Sequence, residues 1–195
     1  MRITLSAPDK LNIISPSGEV FTGGSQNWYK RRWHKISGCG PVAASNLIWY
    51  LTGPRSGMKQ YLEIMQEMYS IVTPGIKGVH TSGIFTDGIE RYGVKHDLQF
   101  TCKVLEIASK SNDRPSIDAV CEFIRIALDS DSPLAFLNLS NGSLNNLESW
   151  HWVTIISYDP DSAQIEVCDY GKKLELDISV WLKTSMLGGA LIYLE

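Results

Sequence analysis

The sequence predicts a single α+β domain spanning 1–195, its helices gathered ahead of an antiparallel sheet. Three observations carry that expectation. Apolar residues recur at helical spacing in segments between Pro41 and Leu128. Short apolar runs bounded by turn residues dominate from Pro133 onward. A length of 195 residues with 44% hydrophobic and 20% charged positions is that of one globular domain with its own core.

The first 38 residues, rich in Gly, Ser, Pro, Asn and aromatics, read as irregular structure with one or two short strands, such as 11–14. PVAASNLIWYL then starts a helix with Pro41 in its first turn. Val42, Ala43, Leu47, Ile48 and Leu51 fall mostly on one face, and Gly53-Pro54 stops it. A second helix is expected over 58–72 with Leu62, Met65 and Tyr69 as its apolar stripe, and a shorter one over 82–92 ended by Gly93. Ser116 caps a helix over 117–129 that buries Ile117, Val120, Cys121, Ile124 and Leu128. Strands are expected at 98–104, 133–139, 152–158, 164–169 and 189–194, with a turn at 159–163 joining the third to the fourth.

Net charge −3 and an isoelectric point near 5.8 give no whole-domain basic field, so nucleic acid is not an expected partner. The basic, aromatic loop Tyr29–Lys35 is too short to reverse this; its charge serves a solvated surface, the nearby thiol or an acidic stretch of substrate. No apolar stretch is long enough to span a bilayer or to act as a signal peptide, so a cytoplasmic protein with no membrane partner is expected. The four cysteines, at 39, 102, 121 and 168, form no CxxC pair and read as reduced thiols. His80 and His96 stand far apart, and neither HExxH nor a glycine-rich phosphate loop occurs, so no metal or cofactor is expected.

Chemistry gathers at Cys39. It lies in Ser37-Gly38-Cys39-Gly40-Pro41, at the start of the first long helix, where unpaired N–H groups and the helix dipole favour a thiolate. Cys102, Cys121 and Cys168 lie inside apolar patterns and read as core thiols. A cysteine nucleophile needs a base. His151 opens the strand HWVTIISY, and a turn centred near Pro160 sets it across from Asp169, with directly opposed side chains about 5 Å apart on one face. A carboxylate there orients the imidazole and stabilises its charged form.

The order Cys, strand-opening His, strand-ending Asp resembles the papain-like cysteine peptidases. The run Gly38-Cys39-Gly40-Pro41-Val42-Ala43-Ala44, the strand from His151 to Ile156 and the end Val167-Cys168-Asp169 are most similar to the branch of bacterial bacteriocin-leader peptidases and their free-standing relatives. The resemblance covers the chain from about residue 20 onward. It implies a papain-like fold, a peptide or protein substrate and hydrolysis through a thioester acyl-enzyme. It also implies an oxyanion-stabilising glutamine shortly before the nucleophile. Trp33 stands in that region, and the nearest glutamine is Gln26, thirteen residues upstream of Cys39, with Asn27 as the alternative amide. The same triad in a transglutaminase-like fold would transfer the acyl group to an amine, and a silent binding module would retain the fold alone.

Overall fold

The computed structural model describes residues 1–53 and 57–195. Pro54, expected to help stop the first long helix, lies outside them. Among the described residues the chain is α+β, with helices packed on an antiparallel sheet. The strands are β1 (Ile3–Thr4), β2 (Asn12–Ile14), β3 (Val20–Thr22), β4 (Cys102–Ile107), β5 (Leu134–Asn138), β6 (His151–Asp159), β7 (Gln164–Asp169), β8 (Lys172–Asp177) and β9 (Gly189–Leu194). The helices are α1 (Arg32–Ser37), α2 (Cys39–Leu51), α3 (Met58–Val72), α4 (Ser82–His96), α5 (Ile117–Asp129) and α6 (Ile178–Thr184). The main sheet runs β4-β9-β5-β6-β7-β8, and β1 pairs with β6 alongside Ser157 and Tyr158, beyond the reach of β5. A separate ribbon joins β2 to β3.

Helix α2 is the axis of the core. It was expected to bury one face, yet every residue from Cys39 to Tyr50 is buried. The reason is its surroundings: α1, α3 and α4 lie against it, and so do β5 and β6 of the sheet. Its composition agrees, since a helix apolar on all sides belongs inside. On α3 the buried positions are Tyr61, Ile64, Met65, Met68 and Val72, a stripe rotated from the expected one, with Leu62 and Tyr69 at its margins. On the other face of the sheet Trp181 of α6 meets Phe136 of β5 edge-to-face, with centroids 4.7 Å apart.

Several boundaries differ from the sequence expectation. Helix α4 runs through Gly93 and ends at Asp97, which takes a left-handed conformation. Gly93 is needed for a close approach instead: an added Cβ would sit 2.7 Å from the Leu98 carbonyl oxygen. The strand expected at 98–104 lies at 102–107, because pairing with β9 fixes it from Cys102↔Leu194 to Ile107↔Gly189. Helix α1 occupies part of the expected irregular segment, and β1, β8 and α6 were not anticipated. Cys102 and Cys121 are half-buried at the edge of the core; only Cys168 of the three expected core thiols is fully enclosed.

The hairpin of β6 and β7 also departs from simple counting. The ladder pairs Thr154 with Cys168 and Ile155 with Val167, then shifts at a bulge before Ser157↔Glu166. Continued outward, that register sets Asp169 level with Val153, two residues from His151. An offset of two keeps both side chains on one face, whereas an offset of one would have separated them.

Candidate active site

Cys39 is the first residue of α2, and Gly38 separates that helix from α1. A Cβ at position 38 would overlap the His34 carbonyl and the Tyr29 ring, so the break between the helices requires glycine. Gly38→Ala is expected to lower the unfolding free energy by about 1–3 kcal/mol, the usual cost of forcing a group into packed space; urea denaturation measures it.

The four sequence-predicted residues come together. Cys39, His151, Asp169 and Gln26 all line one small recess of about 10 Å³, room for one water-sized oxygen. The His151 Nε2 lies 2.7 Å from Asp169 Oδ1, with the two side chains 5% and 9% exposed. Cys39 lines the recess beside the same imidazole. With Nε2 committed to the carboxylate, Nδ1 is the nitrogen that serves the sulfur. Burial alone would push the His151 pKa down, but the Asp169 and Cys39 interactions outweigh it and raise the value to about 10. The charged form of the imidazole is thereby favoured.

Gln26 lines the recess, and Asn27 does not. A buried polar hub holds the Gln26 segment in place. Asn46 of α2 accepts from the Gly24 amide at 2.9 Å and from the Tyr61 hydroxyl at 2.5 Å, and donates to Thr154 Oγ1 of β6 at 2.9 Å. One side chain thus joins the nucleophile helix, the histidine strand and the glutamine loop.

The remaining histidines are elsewhere. His34 stacks on Tyr69 at 3.8 Å, and His96 pairs with Glu67 at 2.8 Å. His80 lines neither the recess nor the groove beside it. Trp152 fills the core, stacked on Phe85 with its indole N–H bonded to the Val79 carbonyl. Trp150, about half exposed, lines an open groove of about 450 Å³ that begins at Cys39 and is walled by Trp33, Ile36, Ile76 and Leu139. Neither tryptophan covers the His151 ring; Tyr170 does, stacked at 5.4 Å and 15°. Sequence reasoning missed Tyr170. Its signal was a bulky aromatic wedged between Asp169 and Gly171, at a turn where small residues normally stand.

Burial pushes Cys168 up to about 12 and Cys102 up to about 11, and it raises Cys121 as well. Among the described residues, no group of three or more His, Cys, Asp or Glu side chains is placed to hold a metal ion. No described helix is long and apolar enough to cross a membrane. No protein-family model matches this chain, and no curated protein is significantly similar to it.

Proposed function

We propose that this protein is a cysteine hydrolase of papain-like architecture that cleaves a peptide or related amide bond, similar in its motifs to the bacteriocin-leader peptidases. One observation carries the reading: a single buried imidazole is bonded to Asp169 through Nε2 in the recess that Cys39 and Gln26 also line. A charged imidazole beside the sulfur favours the thiolate, the nucleophilic form.

The sulfur attacks the scissile carbonyl carbon, whose oxygen takes up negative charge. The amides of Gln26 and of the Cys39 backbone are the donors for that oxygen. His151 gives its proton to the departing amine as the C–N bond breaks, leaving a thioester on Cys39. The neutral imidazole then takes a proton from water, the hydroxide adds to the thioester, and the thiolate leaves with the acid product. Asp169 holds the ring in one orientation throughout.

Alkylation tests the reading directly. With iodoacetamide at pH 6, Cys39 is expected to be labelled far faster than Cys102, Cys121 and Cys168, and His151→Ala is expected to slow it. Equal, slow labelling of all four thiols, read by peptide mass mapping, would leave only a binding module of the same fold.

A further inference from the structure

We infer that Tyr170, backed by Glu148, is a positioning residue that fixes the Gln26 amide as an oxyanion donor. The inference rests on the hydrolase reading above and assigns an element of it that neither motif nor spacing supplies. The Tyr170 hydroxyl lies 3.1 Å from Gln26 Nε2 and 3.0 Å from Glu148 Oε2. A phenol has one proton, and here it is donated to the carboxylate. Toward Gln26 the oxygen can then only accept. The amide must present its NH₂ group, because a flipped amide would set its carbonyl oxygen against the hydroxyl lone pairs. One N–H of Nε2 satisfies Tyr170, and the second is left for a substrate oxygen in the recess shared with Cys39. Gln26 Oε1 meanwhile is buried with no hydrogen-bond partner, an unfavourable state that a free amide would escape by turning.

The backbone gives independent support. Tyr170 has φ +47° and Gly171 φ +78°, in the two-residue turn between β7 and β8. Glycine, asparagine or aspartate usually occupies both such positions, and an aromatic there is strained. The turn is also fastened to the segment that leads into Gln26: the Gly171 amide donates to the Gly24 carbonyl at 3.0 Å, and the Thr22 amide to the Gly171 carbonyl at 2.9 Å. The ring meanwhile lies flat on His151. Tyr170 therefore has two separable parts, a ring that covers the base and a hydroxyl that aims the amide.

Tyr170→Phe keeps the ring and removes the hydroxyl. Two probes distinguish the parts: the p-nitrophenyl ester of N-blocked glycine, whose acylation passes through an oxyanion, and iodoacetamide, whose displacement of iodide by sulfur does not. In Tyr170→Phe, kcat on the ester is expected to fall about 10–100-fold with KM unchanged, by analogy with the loss of one oxyanion donor. Cys39 alkylation at pH 6 should keep the wild-type rate. Glu148→Gln, which retains an acceptor oxygen, should preserve most of the activity that Glu148→Ala loses. The double variant with Gln26→Ala should be no slower than Gln26→Ala alone. Wild-type ester turnover in Tyr170→Phe, additive losses in the double variant, or an equal slowing of alkylation would each overturn the positioning role. If wild-type protein alkylates Cys39 no faster than its other thiols, the hydrolase reading itself falls, and this proposal with it.

Discussion

Replacing His151 with alanine is expected to cut turnover of an activated glycine ester by about 10³–10⁴-fold, the usual cost of losing a general acid–base that also activates the nucleophile. The loss is twofold. The sulfur loses the charge beside it, and the leaving group loses its proton donor. Comparison with Cys39→Ala sets the floor, and a His151→Ala variant within tenfold of wild type would remove the imidazole from the mechanism. The pH dependence sharpens the same test. The His151 pKa lies above its ordinary 6.5, at about 10. The stabilisation that the charged ring gives the fold is therefore complete below pH 6.5 and is lost as pH rises through about 10. Activity that depends on the imidazolium should fail over the same alkaline range. Asp169→Asn removes a major interaction holding the value up, so its alkaline limb should appear at lower pH, and its stability deficit should be largest near pH 6 and narrow toward pH 10. Unfolding midpoints and kcat measured from pH 6 to 10 read both effects.

Asn46→Ala is expected to have the largest effect on stability. Asn46 is 2% exposed, and its partners Tyr61 and Thr154 are wholly enclosed. Removing the amide strands the Gly24 N–H, the Tyr61 hydroxyl and the Thr154 hydroxyl together. Each buried group left without a partner costs about 1–3 kcal/mol, so a loss of about 3 kcal/mol or more is expected in urea denaturation. If Asn46→Ala unfolded like wild type, the hub would have no energetic role.

The sequence made some of this legible and hid the rest for physical reasons. Cys39, His151 and Asp169 were readable because each stands at the end of a strongly patterned element, where chemistry meets a strand or helix signal. Their contact survived a wrong register: counting from the turn put His151 directly opposite Asp169, but the ladder starts from Asp159↔Gln164, three residues out from that count, and the bulge between Ile155 and Ser157 takes back one, so the offset is two and the shared face was preserved. Gln26 was harder, since its place in the recess depends on Asn46 and the β7–β8 turn, both remote in sequence. Tyr170 was invisible to periodicity, because its position comes from a turn and its contacts from three distant segments. Strand β8, KKLELD, hid behind its charge as edge strands do, and α1 was masked by a short polar, aromatic run that looks like a loop.

The enclosure of α2 has a bearing on how reactivity and folding are linked. A helix walled in on all sides cannot fray from its first residue without opening the interior to solvent. The sulfur at its tip is therefore fastened to the most cooperative part of the molecule, and local breathing at the surface cannot misalign it on its own. Heating should leave the thiol's chemistry intact until the whole molecule melts, making loss of reactivity and loss of structure a single event.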